Sequence, residues 1–355
     1  MVTDIAAQVT NRTGIKVFPR DVLRVVGALG TTDNFWRVAS LVRLPFNAVA
    51  EILNSLTEAG VVVVEAGSLR LSPAGHAWVE EARIEAPFVA RCRSCGGRGL
   101  DLGPFQELLA WLHEIGRLRP APIKEFDQGY VTPESTVARV ALLAARGDLA
   151  DKELLVLGDD DLVSLAAAFT RRPKRVVVLE VDPRLTRFIE EAARAYDLAV
   201  EVLEQDIRAR WPEHLLRRFD TFLTDPPETL EGLDVFLGRG LASLKGPRCA
   251  GYFGLTFTEC SLEKWQLLQR RLTGRFGVVI TDIIADFNEY VNWDYLLDSV
   301  RKDLGFVQVP PAGNWYRSAM YRVEVVESVA GHTDSASDAE LYVDREALVY
   351  TGRLV

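Results

Sequence analysis

The sequence predicts an α/β protein, in which a doubly wound, Rossmann-like sheet follows a smaller α+β unit. Residues 1–90 show helical spacing of apolar residues and then a short hairpin pattern. A proline-containing stretch, "RLRPAPIKEFDQGYVTPES", precedes a regular alternation of apolar runs and helical patterns. Such alternation indicates a mostly parallel sheet. Its strands are "ELLVLG", "RVVVLEVD", "AVEVLEQD", "FDTFLTDPP", "CAGYFGLTF", "VVITDII" and "SAMYRVEVV".

The first unit, residues 1–90, has the pattern of a winged-helix domain. The helical stretches "RDVLRVVGAL", "DNFWRVASLV" and "PFNAVAEILNSLTEAG" precede the hairpin "VVVVEAGSLRLS". Many such domains bind DNA, yet residues 1–85 hold eight Lys or Arg against nine Asp or Glu, and the expected recognition helix carries Glu51 and Glu58 without a basic residue. Because contact with DNA needs basic or amide side chains, we expect a packing or dimerisation unit and no nucleic-acid partner.

Composition narrows the class of protein further. Of 355 residues, 48% are hydrophobic and 26% charged, which suits a folded chain with a large core. No apolar run is long enough to cross a membrane, and the N-terminus lacks a signal-peptide pattern. Four cysteines favour a reducing cytoplasm over a disulfide framework. The formal net charge of −9 favours cationic partners.

Residues 91–120 are predicted to form a linker that contains a CxxC pair. Cys92 and Cys95 have the spacing of zinc ligands. No second pair follows at the usual distance, so three interpretations stay open: a glycine-rich turn without metal, a metal or redox site, and a site shared across a dimer. The Rossmann-like domain is expected to occupy residues 121–355.

Acidic residues stand at the ends of the first four strands of the predicted sheet. Ligands of doubly wound sheets bind at the carboxyl ends of the strands, so these acids are candidate site residues. In chain order the candidates are Gly158, Asp159, Asp160 and Asp161 after the first strand, Glu180 and Asp182 at the second, Asp206 after the third, and Asp225, Pro226, Pro227 and Glu228 after the fourth.

This spacing resembles the S-adenosylmethionine-dependent methyltransferases and the related aminopropyltransferases. A carboxylate ending the second strand can accept both ribose hydroxyls of a nucleoside, and one after the third can accept from an adenine amino group. The resemblance implies that the donor is bound by Gly158, Glu180, Asp182 and Asp206. The alternative is that some of these acids cap helices, with Asp161 and Asp182 the best candidates.

The three consecutive aspartates after the first strand are expected to select ligands by their charge. S-adenosylmethionine carries a carboxylate on its tail, which these aspartates would repel. The decarboxylated compound carries a bare aminopropyl ammonium and would be attracted, as would a polyamine acceptor. In "DPPE" the fourth position is Glu228. Methyltransferases that act on flat bases have a motif that resembles this one but carries an aromatic residue at the fourth position. A carboxylate there favours an aliphatic amine.

Further candidates for the polyamine site flank the strand-end acids. Asp282, Glu289, Tyr290 and Trp293 lie in "TDIIADFNEYVNW", where acids and aromatic faces can bind cations. The alternative is a solvated helix start with core aromatics. In "DQGY", which precedes the sheet, Asp127, Gln128 and Tyr130 are placed to cover the donor site, and Asp127 and Tyr130 are also candidates for the polyamine site.

The combination of a winged-helix-like unit, a CxxC linker, "DQGYVTPES", "GDDD" and "DPPE" resembles the branched-chain polyamine synthases of thermophilic bacteria and archaea. The resemblance covers nearly the whole chain. It implies aminopropyl transfer from decarboxylated S-adenosylmethionine to the secondary amine of spermidine, a homodimer, and a catalytic aspartate within "GDDD". The donor is a co-substrate, and no metal or other cofactor is required.

Two other functions remain consistent with the sequence. One is an ordinary S-adenosylmethionine-dependent N-methyltransferase, and the other is a regulator that senses polyamines through the α/β domain. For the enzyme, we expect Asp159 or Asp160 to accept a proton, Asp161 to cap a helix and Asp225 to orient the amine. The segment from Ala330 lacks an apolar pattern before Leu341 and is predicted to be a mobile tail that closes over substrate.

Overall fold

The computed structural model describes residues 1–89, 91–329 and 331–347. The predicted helices and hairpin of the first unit are present, with an additional helix at each end of the unit. The sequence does not predict the first helix, because its buried apolar residues are only Ile5, Ala6 and Val9. In chain order the elements are α1 (Val2–Thr13), α2 (Pro19–Leu29), α3 (Phe35–Val42), α4 (Phe46–Glu58), β1 (Val62–Glu65), β2 (Ser68–Leu71) and α5 (Pro73–Glu81).

The second unit is a seven-stranded sheet with helices packed on both faces. None of the helices in the described ranges combines the length and apolarity that a membrane span needs. The elements are α6 (Gln106–Ile115), α7 (Pro133–Ala145), β3 (Glu153–Leu157), α8 (Val163–Phe169), β4 (Arg175–Glu180), α9 (Pro183–Ala195), β5 (Val200–Glu204), β6 (Thr221–Thr224), α10 (Leu230–Ser243), β7 (Ala250–Leu255), α11 (Leu262–Arg270), β8 (Val278–Glu289), α12 (Asp294–Asp303) and β9 (Arg317–Val325).

The strand order places a crevice at the centre of the sheet. The order is β5-β4-β3-β6-β7-β9-β8, parallel from β5 to β7, with β9 antiparallel to both β7 and β8. After β3 the chain adds β4 and β5 on one side of this strand, and it then returns to add β6 and β7 on the other side. The connections that follow β3 and β6 therefore lead away from each other. Ligands of such sheets bind at this point. The mostly parallel α/β sheet predicted from the sequence is confirmed.

The predicted linker contains a helix that belongs to the sheet unit. Within residues 91–120, α6 packs its apolar side into the core on one face of the sheet. The α/β unit therefore begins before residue 121. Arg98, from the turn after the CxxC pair, donates to the carbonyl of Phe287 (2.7 Å) and to the hydroxyl of Ser135 (2.8 Å). These bonds fasten the turn to the edge of the sheet.

The C-terminal segment, predicted to be mobile, packs against the sheet unit over residues 331–347. Arg239 donates to the carbonyl of His332 (2.8 Å), and the hydroxyl of Thr229 donates to the carbonyl of Leu341 (2.5 Å). Hydrogen bonds to backbone carbonyls do not require apolar residues at regular spacing. The sequence of this segment therefore predicts a mobile tail although the segment is packed. Ala330 and residues 348–355 lie outside the described residues.

One of the hydrophobic clusters spans both units. The fully buried Trp36 and Phe46 contact Trp315, with ring centroids 4.9 and 5.8 Å apart, and the indole of Trp36 donates to the carbonyl of Val309 (3.1 Å). The same cluster includes Tyr290 and Tyr316, together with Val131. The first unit therefore packs directly behind residues 290–316.

Candidate active site

A cleft of about 820 Å³, its open mouth included, lies at the carboxyl ends of the strands in the centre of the sheet. Among the described residues that line it there is neither lysine nor arginine. Six carboxylates line it, from Asp127, Asp160, Glu180, Asp225, Glu228 and Glu259. Its aromatic residues are Phe126, Phe236, Tyr290, Trp293, Tyr316 and Tyr342. Carboxylates and aromatic faces together favour an organic cation.

The first of the three consecutive aspartates caps a helix. Gly158 follows β3 in the left-handed region (φ 68°), a conformation that favours glycine. The carboxylate of Asp159 then accepts from the backbone amides of Val163 (2.6 Å) and Ser164 (3.0 Å), at the start of α8. Burial raises the pKa of Asp159 to about 8, although the Ser164 and Val163 amides act in the opposite direction. Asp159 thus faces the helix rather than the cleft.

The second aspartate faces the cleft. The carboxylate of Asp160 accepts from the amide of Gly129 (3.0 Å), while its carbonyl accepts from Arg119 (2.7 Å). Burial raises the pKa of Asp160 well above its ordinary value, and the carboxylates of Asp161 and Glu180 raise it further. A carboxylate with a raised pKa is a stronger base, which suits proton transfer.

The third aspartate was expected to cap α8, and this prediction is wrong. Asp161 accepts from the amide of Val131 (2.6 Å) and forms an ion pair with the fully buried Arg139 (2.5 Å). The chain turns through Leu162 with a left-handed φ of 58°, so Asp159 rather than Asp161 meets the first amides of the helix. Asp161 therefore anchors a buried guanidinium.

Arg139 also holds Asp225, the acid that follows β6. One carboxylate oxygen of Asp225 accepts from Arg139 and from the hydroxyl of Tyr290, each at 2.6 Å. Burial raises the pKa of Asp225, while the Arg139 charge acts against that change. A side chain at Gly254 would place its Cβ 2.0 Å from the other carboxylate oxygen, so the glycine makes room for it. Asp225 is held in one orientation at the wall of the cleft.

Glu180, at the end of β4, is held by three backbone amides beside Gly158. Its two oxygens accept from Asp159 (2.8 Å), Val181 (2.8 Å) and Asp182 (2.9 Å). Burial raises the pKa of Glu180, with these amides acting in the opposite direction. Phe236 and Tyr342 line the same cleft. A carboxylate oxygen has two lone pairs, so Glu180 can also accept from ligand hydroxyls.

Two predicted donor contacts lie outside the lining of the cleft. Asp182 is the N-cap of α9, accepting from the amide of Arg184 (2.9 Å) and from the side-chain amide of Gln128 (2.9 Å). The alternative interpretation of Asp182 as a cap is confirmed. Asp206 pairs with Arg208 (2.7 Å) and is likewise absent from the lining residues. Gln128 does line the cleft and joins it to α9 through Asp182.

Several polyamine candidates meet at the cleft, joined by residues that the sequence analysis missed. Glu259 follows β7, and its carboxylate accepts from the hydroxyl of Tyr316 (2.5 Å). Extending the strand-end rule to the fifth strand would have found Glu259. Tyr316 precedes an antiparallel strand, where that rule does not apply. The predicted residues that line the cleft here are Asp127, Pro226, Pro227, Glu228, Tyr290 and Trp293.

Three other polyamine candidates are placed elsewhere. β8 continues to Glu289, so Asp282 and Glu289 are strand residues, paired with Arg146 (2.5 Å) and Arg317 respectively. The ring of Tyr130 lies 3.4 Å from the guanidinium carbon of Arg119. None of these three residues lines the cleft, and each instead contacts an arginine of the protein itself.

The CxxC pair lies on the surface, away from the cleft. Cys92 is exposed, and its sulfur is 3.1 Å from the hydroxyl of Ser94. That hydrogen bond, with others from the Cys95 backbone, lowers the pKa of Cys92 to about 7. Within the described ranges, no group of three or more His, Cys, Asp or Glu side chains is arranged to hold a metal ion. A metal role for Cys92 and Cys95 stays a prediction.

The fold and cleft define a class of protein: a Rossmann-like chain whose strand-end pocket suits a nucleoside and an organic cation. Residues 107–349 match the family model described as "Branched-chain polyamine synthase A C-terminal domain". The chain belongs to the branched-chain polyamine synthase family.

Curated relatives and a solved structure agree with this family. The chain is 45% identical to the N(4)-bis(aminopropyl)spermidine synthase of Thermococcus kodakarensis over 97% of this chain and 99% of the relative. It is 42% identical to that of Methanocaldococcus jannaschii over 97% and 98%. The branched-chain polyamine synthase of Thermus thermophilus, solved with N4-aminopropylspermidine and 5'-methylthioadenosine, superposes with a TM-score of 0.89, 41% identity and 98% coverage of both chains.

Proposed function

We propose that this chain transfers aminopropyl groups from decarboxylated S-adenosylmethionine to the secondary amine of spermidine. The products are methylthioadenosine with N4-aminopropylspermidine and then N4-bis(aminopropyl)spermidine. One observation carries the proposal: six carboxylates line the cleft, and the described lining holds no lysine or arginine. Such a pocket attracts both cationic substrates, because six carboxylates provide enough negative charge to pair with each of them.

The acidic cleft also explains the choice of donor. Asp160, Asp225 and Asp127 line the cleft. The tail carboxylate of S-adenosylmethionine would bring a further negative charge against them. The decarboxylated donor has only an ammonium and a sulfonium, both attracted to the same groups. Glu180 is the candidate partner for the ribose hydroxyls, with Gly158 and Gln128 beside it.

Asp160 is the proposed base. An amine of spermidine has a pKa near that of lysine, ~10, so the reacting nitrogen must lose a proton before it attacks. Asp160 accepts that proton. The nitrogen lone pair then attacks the methylene carbon next to sulfur, a C–N bond forms as the C–S bond breaks, and methylthioadenosine leaves as a neutral thioether with both electrons of the broken bond. Asp225, held by Arg139 and Tyr290, orients the amine and stabilises its developing charge.

The terminal ammonium groups of spermidine have separate partners. Glu228, Glu259 and Asp127 line the cleft and are the proposed acceptors of their N–H bonds. Burial and the neighbouring Glu259 raise the pKa of Glu228 well above its ordinary value. A bound polycation would reverse that shift, because opposite charge favours the ionised carboxylate. Trp293 and Tyr290 add aromatic surface for the aminopropyl chains.

The proposal includes the first unit and the assembly. The winged-helix-like unit, residues 1–90, serves as a packing module, since its core continues into the wall of the cleft. A homodimer in a reducing cytoplasm is the expected state; the family resemblance supports the dimer, and the low cysteine content supports the compartment.

The decisive experiment is mass spectrometry of spermidine incubated with the protein and decarboxylated S-adenosylmethionine. Spermidine without added aminopropyl mass would refute the proposal.

Calorimetry with the two donors tests the selection by charge. We expect methylthioadenosine to bind tightly through Glu180, and S-adenosylmethionine to bind much more weakly than its decarboxylated form. Methyl transfer to spermidine from S-adenosylmethionine would instead support the methyltransferase alternative. Equal affinity for both donors would contradict the role given to the acidic cleft.

Ending the chain before Gly331 tests the C-terminal segment. Tyr342 would be lost from the cleft, and Arg239 would lose its bonds to the carbonyls of His332 (2.8 Å) and Asp334 (2.5 Å). We expect turnover to fall by about tenfold or more, because the cleft loses part of its wall. Tyr342→Phe, which keeps the ring, serves as a control with a small effect. Unchanged turnover in the truncated chain would remove the segment from the reaction.

A further inference from the structure

Lys264, in the first turn of α11, is a buried lysine beside the acidic cleft. Its side chain is 6% exposed. The ammonium group lies 3.0 Å from the carbonyl oxygen of Glu228, 2.7 Å from that of Glu259 and 2.7 Å from a carboxylate oxygen of Asp344. An ammonium has three N–H donors, so each has an acceptor. A second carboxylate, from Glu346, lies 3.5 Å away.

One ammonium group therefore joins three separate segments. Glu228 belongs to the segment after β6, Glu259 to the segment after β7, and Asp344 to the C-terminal segment. Ser261, the N-cap of α11, adds to the same junction, since its amide (2.7 Å) and hydroxyl (2.9 Å) donate to Glu346. The side chains of Glu228 and Glu259 line the cleft. The ammonium nitrogen of Lys264 therefore holds the backbones of both Glu228 and Glu259.

The charge of Lys264 also acts on Glu228. Burial and mutual repulsion among the carboxylates raise the pKa of Glu228, and the Lys264 charge opposes that rise. Burial lowers the pKa of Lys264, but the carboxylates of Glu346 and Asp344 outweigh this effect and raise it, so the ammonium stays charged. All three N–H donors of Lys264 already have acceptors in the protein. Its ammonium group therefore does not occupy the part of the cleft that is proposed to bind the polycation.

We propose that Lys264 is a positioning residue for the polyamine acceptor, holding Glu228 and Glu259 in the relative positions that receive its terminal ammonium groups. The inference rests on the proposed function and deepens it. Its contacts are with the acceptor acids and the C-terminal segment, and none is with Glu180 or Gly158. Loss of the ammonium should therefore weaken the acceptor more than the donor.

Steady-state kinetics of Lys264→Met test this role. We expect KM for spermidine to rise by about tenfold or more, with KM for decarboxylated S-adenosylmethionine within about twofold of the wild-type value. Lys245→Met is the matched control, because Lys245 pairs with Asp220 (2.8 Å) and Glu153 (3.2 Å) at the start of β3. That control should change neither KM.

Lys264→Arg keeps the charge but replaces a compact ammonium with a planar fork, which does not match three acceptors arranged around one nitrogen. We expect it to raise KM for spermidine by a few-fold and to leave the donor KM unchanged; it also decides the question if Lys264→Met fails to fold. An unchanged spermidine KM in either folded variant, or equal rises in both KM values, would overturn the positioning role. A wild-type protein that forms no aminopropylated product would refute the proposed function instead.

Discussion

Asp160→Asn should lower the single-turnover rate of methylthioadenosine release by about 10²–10⁴-fold, while spermidine still binds. Asparagine keeps the size of the side chain and can accept the hydrogen bond from Gly129, but it cannot accept a proton at neutral pH. Asp225→Asn should show a milder, mixed effect on binding and rate, since Asp225 orients the amine. Asp159→Asn and Asp161→Asn should act mainly on stability. If all four variants lose a similar, small part of the single-turnover rate at saturating spermidine, none of these aspartates is the base. The aspartates would then only attract polycations by their charge.

The pH dependence gives a second test of the base. Burial raises the pKa of Asp160 above its ordinary 3.8. Because a base must be ionised to accept a proton, the single-turnover rate should rise with pH as Asp160 loses its own proton, and fall below that pH. The acidic limb should disappear in Asp160→Asn. If the same limb persists in the variant, the titrating group is another acid of the cleft.

Arg139→Met should reduce the free energy of unfolding by ~3–5 kcal/mol, because it leaves two buried carboxylates without their cation. Asp161 and Asp225 pair with Arg139 at 2.5 and 2.6 Å, and the Arg139 side chain is 1% exposed. Urea denaturation followed by circular dichroism measures the change. Turnover should fall as well, because Asp225 loses one of the two groups that orient it.

Arg146→Met is the matched control on the C-terminal side of the same helix. Arg146 pairs with Asp282 at 2.5 Å, the same distance as the buried pair, but its side chain is 40% exposed. A solvent-exposed pair contributes ~0–1 kcal/mol, so the control should unfold close to the wild type. Equal losses in the two variants would show that burial does not set the strength of the Arg139 contacts.

The centre of the sheet could be predicted because β3, β4, β6 and β7 are buried on both faces and their sequences are continuous apolar runs. Leu154 and Val156 face one core, and Leu155 and Leu157 the other. The helix α6 and the packed C-terminal segment were missed for different reasons. α6 was hidden inside a stretch rich in glycine and proline. The C-terminal segment is held by hydrogen bonds to its backbone carbonyls and to the carboxylates of Asp344 and Glu346, which sequence periodicity does not record.

The strand-end rule located part of the site but could not assign roles to consecutive residues. It found Asp160, Glu180 and Asp225, because the carboxyl ends of parallel strands meet at one edge. Which of three successive aspartates faces the cleft depends on a single backbone turn at Leu162, and no pattern reports it. Arg139 lies far away in sequence on a helix with buried residues all along it, so its pairing with the acids became visible only in three dimensions.

The hydrophobic cluster common to the two units couples the packing of the first unit to the wall of the cleft. Trp36 and Phe46 of the first unit support Trp315, whose neighbour Tyr316 lines the cleft and bonds Glu259. Loosening of the first unit would therefore disturb the proposed acceptor site even while the central strands stay paired.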